Sequence, residues 1–252
     1  MDATQEQKTH AELQISAACK KPAEIDILMV AHNQPELVKN SLDSLKATTP
    51  DYHLYLYDNA SDAETADILK SADLRGGRLI RSEENLGFLK PNNILAAIGT
   101  SPYIILLNTD IYCLPGWWEP LIGCLQNYPD VGVTGYLGGC LNHQGVGTSP
   151  AWGYDVDYIS GWCLAIRRDD YKKFGLFDEI NLEFAYCEDA DLCFRLREAG
   201  LTTYAFGLNL VWHKGHATSL SIDSKVLGGP FARNHAYMQR RWQKYLGRSI
   251  RG

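Results

Sequence analysis

The 252-residue chain is predicted to be an α/β protein: a Rossmann-like, mostly parallel sheet flanked by helices, in a single domain with a small C-terminal helical extension. Three observations predict it. Short apolar runs alternate with stretches in which leucine and isoleucine recur at helical spacing, the pattern of βαβ units. Polar turn residues end each apolar run, as they end buried strands. No linker rich in Pro, Gly or Ser divides the chain.

Taken in order, Ile25-Asp26-Ile27-Leu28-Met29-Val30 reads as a buried strand that stops at His32-Asn33-Gln34-Pro35. Leu37, Leu42 and Leu45 mark a helix up to Pro50, and Leu54-Tyr55-Leu56-Tyr57 is a second strand, broken by Asp58-Asn59-Ala60-Ser61-Asp62. A helix through Ile68 and Leu69 leads to a third strand, Arg78-Leu79-Ile80. The loop Glu84-Asn85-Leu86-Gly87-Phe88 precedes a helix through Ile94, Leu95 and Ile98. Tyr103-Ile104-Ile105-Leu106-Leu107 is the strongest strand and ends at Asn108-Thr109-Asp110. Further on, Tyr136 to Tyr158, rich in Gly, Asn, Ser and Pro, reads as one long loop, and Ile159 to Ile166 as a strand. Ala190 to Ala199 reads as a helix with Leu192 and Leu196 on one face and Gly200 as its cap. Leu208 to Trp212 reads as a last strand ending at His213. The expected divisions are an N-terminal tail (1–23), a main domain (24–220) and a basic C-terminal extension (221–252).

Composition limits the function classes. Apolar residues make up 45% of the chain and charged residues 21%, ordinary for a globular protein. A formal net charge of -6 argues against a nucleic-acid partner, because affinity for phosphate backbones comes from basic charge. The seven cysteines are scattered without a CxxC pair, so neither a disulfide framework nor a structural zinc site is expected, and the thiols suit a reducing cytoplasm. No apolar run reaches the roughly 18–20 residues of a membrane span. Met1 to Lys20 are polar and mixed, so no signal peptide is expected.

The polar strand ends carry the candidate chemistry. In a doubly wound sheet ligands sit at the carboxyl ends of the strands, where His32-Asn33, Asp58-Asn59 and Asn108-Thr109-Asp110 all fall. Asp110 can present a carboxylate to a divalent cation; a capping role in a turn is the other reading. His213 ends the last strand, and a neutral imidazole is a good metal ligand, though a lone histidine also serves structure. His213 and His216 are too closely spaced to argue for zinc. Cys187-Glu188-Asp189-Ala190-Asp191 sets three carboxylates beside a helix start. They complement the helix dipole, or one of them is a general base. Asp189 is the expected base, Glu188 its support, and Asp191 a cap. Asp58 and Asn59 offer groups that read a nucleoside, or else form an Asx-turn capped by Ser61 or Asp62.

In order along the chain stand DILMVAHN, YDNASD, ENLGFLKPNN, ILLNTD, SGWCLAIRRDDYKKFGLFDE, YCEDADLCFRLREAG and VWHKGHATS. From about Ile25 to about Ser219 this series resembles the family 2 glycosyltransferases of the GT-A fold, particularly the rhamnosyltransferase-like branch. The resemblance implies an inverting, metal-dependent hexosyltransferase using Mn²⁺ or Mg²⁺. Its implied donor is a nucleotide-diphosphate sugar, with UDP or dTDP favoured over GDP and rhamnose or another hexose as the sugar. Its implied acceptor is a glycan, a lipid-linked sugar or another hydroxyl compound. By position, Ala31, His32, Asn33 and Asp58 would face the nucleoside. Asn85, Gly87, Phe88 and Asn92 would line the donor pocket, and Gly161 and Trp162 would form a turn beside the sugar. Asn108, Thr109 and Asp110 stand where the family has its DxD motif, so Asp110, Asn108 and His213 would hold the metal. Asp189 matches the catalytic base. The chain departs from the pattern in two places: Asn108 replaces the first DxD acid, and His32-Asn33 replaces the usual Tyr-Asn. The segment from Tyr136 to Tyr158 carries no motif and is expected to shape the acceptor site.

Phe231 to Arg251 interleaves Arg233, Arg240, Arg241, Lys244, Arg248 and Arg251 with Phe231, Tyr237, Trp242, Tyr245 and Leu246. Two readings stand open. An amphipathic helix could make peripheral contact with an anionic membrane, or a helix could pack its aromatics on the domain with its basic face in water. For the chain as a whole, the alternative to an enzyme is a catalytically degenerate module that still binds nucleotide sugar. A nucleotidyltransferase is disfavoured, because Ala31-His32-Asn33-Gln34-Pro35 is not a glycine-rich phosphate loop, and a dehydrogenase is disfavoured by the lack of GxGxxG.

Overall fold

A computed structural model describes residues 25–215 and 224–247. The expected tail (1–23), Cys19, His216 to Ser219, Arg248 and Arg251 lie outside the described residues. The first half follows the sequence pattern closely: β1 (Ile25–Ala31), α1 (Pro35–Thr48), β2 (His53–Asn59), α2 (Ala63–Lys70), β3 (Arg78–Ser82), α3 (Leu89–Ile98) and β4 (Tyr103–Leu107). These strands pair in the order β3-β2-β1-β4, all parallel. The order reverses between β1 and β4, the switch point at which such sheets bind ligands. Pro35 starts α1, where its missing N–H costs nothing. Asp62 caps α2, its side chain accepting from Thr65 N–H at 2.8 Å.

The second half holds β5 (Ile111–Cys113), α4 (Glu119–Asn127), β6 (Val131–Gly135), β7 (Gly138–Leu141), β8 (Gly147–Ala151), β9 (Gly153–Tyr154), β10 (Tyr158–Ile159), β11 (Cys163–Arg167), α5 (Arg168–Phe174), α6 (Glu188–Glu198), β12 (Thr202–Ala205), β13 (Val211–His213) and α7 (Ser224–Trp242). β11 joins β4 antiparallel, and β6, β12 and β9 complete an eight-stranded sheet in the order β3-β2-β1-β4-β11-β6-β12-β9. Two small antiparallel sheets stand outside it, β10-β7-β8 and β13-β5.

Three expectations are corrected. Tyr136 to Tyr158 is not one long loop; most of it is paired in the β7–β10 strands, which are short and Gly/Pro-rich and so lack the apolar runs that identify a strand. Ile159 to Ile166 is not one strand, because a turn at Ser160-Gly161-Trp162 separates β10 from β11. Glu188 and Asp189 do not precede the helix but form its first turn, and Asp191 does not cap it; the capping position is Cys187, without a side-chain cap bond.

Strand residues alternate between two cores, as the pleat requires. Ile27, Met29, Ile105 and Leu107 face one layer with Val38 and Leu45 of α1 and Leu121 and Ile122 of α4. Leu28, Ile104 and Leu106 face the other with Leu95 of α3 and Leu192 and Leu196 of α6. A third cluster, Phe194, Met238, Trp242 and Leu246 with Leu141, docks α7 and the residues after it on α6 and the β7–β8 hairpin. At the amino end of β1, buried Asp26 pairs with Arg168 at 2.6 Å and accepts from Ser101, which satisfies a charge that burial would otherwise penalise heavily.

Candidate active site

A cleft of about 620 Å³ opens at the carboxyl ends of β1, β2 and β4. Its inner part is built by loops held to one another. Asn59, at the end of β2, donates to Asn85 Oδ1 and to the Gly87 carbonyl, both at 2.8 Å, and accepts from Leu86 N–H at 2.8 Å. One buried amide thus fixes the whole 85–87 loop. His32 Nδ1 lies 2.8 Å from the Asn59 carbonyl, which ties the end of β1 to the end of β2.

The segment after β4 is pinned from α1. Ser41 Oγ lies 2.8 Å from the carbonyl oxygens of both Thr109 and Ile111, its one hydrogen serving either, and it accepts from Ile111 N–H. Asp110 between them is buried. The β5–β13 ribbon pairs Ile111 with His213 and so brings His213 beside Asp110, 103 positions away. His213 Nε2 lies 3.1 Å from Asp110 Oδ1 and 3.5 Å from Asn108 Nδ2. Trp162 stacks on the His213 ring with centroids 4.7 Å apart, and its carbonyl accepts from Asn108 N–H. A carboxylate and an imidazole this close suit a divalent first-row ion that takes its remaining ligands from diphosphate and water. Among the described residues no group of three or more His, Cys, Asp or Glu gathers as a metal site.

Across the cleft, the first turn of α6 carries the acid pair. Asp189 Oδ2 accepts from Gly161 N–H at 3.2 Å and Oδ1 from Ala190 N–H at 2.8 Å, so the antiparallel turn before β11 orients the carboxylate. Burial pushes the Asp189 carboxyl above its ordinary range despite these two donors. Glu188 is pushed up as well, by burial and then by the Asp189 charge, and its Oε2 has no hydrogen-bond partner among the described residues. Asp191 faces away from the cleft: Arg195 Nε binds its Oδ2 at 2.7 Å and Trp242 Nε1 its Oδ1 at 2.8 Å. It anchors α7.

The cleft brings together His32, Asn85, Gly87, Phe88, Asn108, Thr109, Asp110, Gly161, Trp162, Glu188, Asp189 and His213 of the expected set. Four others stand behind its wall. Ala31 is buried in the core, and Asn92 bonds the Phe88 carbonyl at 2.9 Å. Asn33 binds Asp62 N–H at 2.7 Å. Asp58 pairs with Arg81 and accepts from Ser61 N–H, the Asx-turn geometry that its sequence also allowed. Only part of the outer wall falls in segments the sequence pointed to, the 136–158 stretch and Phe231. Leu141 and Val146 of the hairpin region, Tyr158, Tyr186, and Phe231, His235 and Met238 of α7 line it. Tyr186, His235 and Met238 had not been singled out.

Of the two readings of the basic segment, the docked helix is the one the structure displays. Trp242 and Leu246 are buried, Tyr245 stacks on Phe194, and Arg241 and Lys244 pair with Glu198. No helix among the described residues is long and apolar enough to cross a membrane.

The family described as Glycosyl transferase family 2 matches residues 26–175. An uncharacterized protein of Sinorhizobium fredii is 23% identical over 88% of this chain and 28% of its own length. The N-acetylglucosaminyl-diphospho-decaprenol L-rhamnosyltransferase of Mycobacterium tuberculosis is 27% identical over 56% of this chain and 60% of its own. The chain thus spans less than two thirds of the length of either relative. Among solved structures, GalNAc-T7 with UDP, GalNAc and Mn²⁺ superposes with a TM-score of 0.67 at 14% identity, covering 77% of this chain and 44% of that one. At that identity the likeness establishes the shared GT-A fold.

Proposed function

The chain belongs to glycosyl transferase family 2, and on that premise we propose that it moves a hexose from a nucleotide-diphosphate donor to a hydroxyl acceptor with inversion at the anomeric carbon. The observation that supports this reading is the convergence, in one cleft, of Asp110 and His213 on one side and Asp189 on the other. His32 and the loop held by Asn59 border the nucleoside, and Asn108, Asp110 and His213 hold Mn²⁺ or Mg²⁺. A cation bound there offsets the negative charge that develops on the leaving diphosphate. Asp189 takes the proton of the acceptor hydroxyl as its oxygen bonds to the anomeric carbon, and the bond from that carbon to the diphosphate oxygen breaks with its electron pair. A carboxylate raised by burial is a stronger base than an ordinary aspartate. The two backbone donors aim it without consuming all its lone pairs.

The donor is a UDP- or dTDP-sugar, with rhamnose the first sugar to try, because the Mycobacterium relative is an L-rhamnosyltransferase and GalNAc-T7 was solved with UDP. The acceptor enters over the outer wall, where the side chains of Leu141, Val146, Phe231 and Met238 suit a glycan carried on an apolar group.

Thermal unfolding with UDP, dTDP, GDP and CDP, each with and without Mn²⁺ or Mg²⁺, tests the reading. A ligand that binds only the native state raises the midpoint. The expected result is a metal-dependent rise for one nucleotide, absent in Asp110→Ala, and loss of transfer in Asp189→Asn with the rise intact. Transfer at the wild-type rate by Asp189→Asn would refute the base, and no rise with any nucleotide would favour a module that has lost the donor site.

A further inference from the structure

The backbone just before the acid pair is held in a conformation its residues do not favour. Phe184, Tyr186 and Cys187 have φ of 60°, 75° and 73°, and none is glycine. Such backbone persists only where its surroundings over-determine it. Here the surroundings are chiefly one side chain. Asn234 of α7 is completely buried. Its Nδ2 donates to the carbonyls of Glu183, Ala185 and Tyr186 at 2.8, 2.9 and 3.0 Å, and its Oδ1 accepts from Glu183 N–H at 2.9 Å. Two amide hydrogens serve three carbonyls, so both donors of Asn234 and a bond to its oxygen go to this segment. From the opposite side Phe88 N–H donates to the Phe184 carbonyl at 2.6 Å.

We propose that Asn234 is a positioning residue for the transfer reaction. It does not line the cleft. It sets the 183–187 backbone, and that backbone sets where α6 begins and where the Asp189 carboxylate meets Gly161 N–H. This rests on Asp189 being the base. The docking of α7 has other supports, the Met238, Trp242 and Leu246 cluster and the Trp242–Asp191 bond. Asn234 is therefore not needed merely to keep the helix in place. In a reaction whose rate depends on the aim of one carboxylate, a small displacement of the groups behind it costs rate without costing donor affinity.

The test compares Asn234→Ala and Asn234→Asp with Leu246→Ala, which loosens α7 without touching the segment. Asn234→Asp keeps the volume and the acceptor but turns an oxygen towards three carbonyls. Two readouts are taken well below each midpoint: amide hydrogen exchange over residues 183–191, and release of UDP or dTDP from UDP- and dTDP-sugars in Mn²⁺. We expect both Asn234 variants to speed exchange in that segment and to lower kcat by at least about ten-fold. Their Kd for UDP with Mn²⁺ should stay within about two-fold of the wild type. Leu246→Ala should lower the midpoint and leave kcat close to wild type. Wild-type kcat in Asn234→Asp would overturn the proposal. So would Leu246→Ala reproducing both the faster exchange and the lower kcat at an equal loss of midpoint. Failure of the base assignment is read separately, from wild-type turnover in Asp189→Asn.

Discussion

Substituting Gly87 with alanine should damage this protein more than its single methyl suggests. Gly87 has φ +79°, and a Cβ built there would stand 2.4 Å from the Phe184 carbonyl oxygen, 2.6 Å from its Cα and 2.8 Å from its carbonyl carbon. All three are backbone atoms, so no side chain can swing aside. Holding alanine at positive φ costs about 1 kcal/mol. Relieving the overlap means parting the 85–88 loop from Phe184, which breaks the 2.6 Å bond from Phe88 N–H and removes about 1 kcal/mol more. Local backbone shifts of this kind add about 1–3 kcal/mol. A loss of about 4 kcal/mol in a chain of this size lowers Tm by roughly 10 °C. Gly76→Ala is the control, since Gly76 has φ +88° but its nearest neighbour is the His53 side chain at 3.4 Å. It should show the backbone strain alone, about 1 kcal/mol. Differential scanning calorimetry of both variants measures the difference. Equal midpoints for the two would refute the reasoning, because only the contact with Phe184 distinguishes them.

Glu188→Gln should stabilise the protein at neutral to alkaline pH. Because burial and the Asp189 charge raise the folded-state pKa of Glu188, the native protein binds more protons than the unfolded chain above the ordinary glutamate range. The stability linked to Glu188 is therefore complete below that range and is lost as pH rises towards the raised value. The amide removes this loss, so the variant should gain Tm at about pH 8 and match the wild type at about pH 4; a variant less stable than wild type at the higher pH counts against a buried, raised carboxyl. Trp242→Phe keeps the ring in its cluster but removes the donor to Asp191, and it should cost about 2 kcal/mol in urea unfolding. A change within about 0.5 kcal/mol would mean that Arg195 alone satisfies the carboxylate. His213→Ala should abolish the Mn²⁺-dependent part of nucleotide stabilisation and leave the metal-free part; an unchanged metal dependence removes His213 from the proposed metal site.

Much of the fold was legible because parallel strands buried on both faces must be continuously apolar. Ile25–Ala31 and Tyr103–Leu107 announce themselves for that reason, and with the intervening helices they fix the order of the first half. The strands of the second half are not built that way. Gly138–Leu141 and Gly147–Ala151 form a small antiparallel sheet rich in Gly and Pro, and their pairing depends on partners rather than on any run of their own. Nor did the sequence prompt any assignment for Glu119–Asn127 or Val131–Gly135, which lie between the two regions that carry motifs.

The candidate site divides along the same line. Sequence alone determined the residue types: a carboxylate after one buried strand, an acid pair at the start of a helix, and a histidine at the end of a late strand, set in a recognisable order. Tertiary structure alone decided which of these meet. His213 reaches Asp110 only because a two-stranded ribbon joins segments 103 residues apart, and the Asp191 carboxylate is held away from the cleft by Arg195 of its own helix and by Trp242, 51 positions later. The grip of Asn234 on the backbone before Glu188 was invisible for the same reason. Periodicity and turn chemistry record each residue's immediate neighbours along the chain, whereas a hydrogen bond between groups about fifty positions apart exists only after the apolar faces have chosen how to pack.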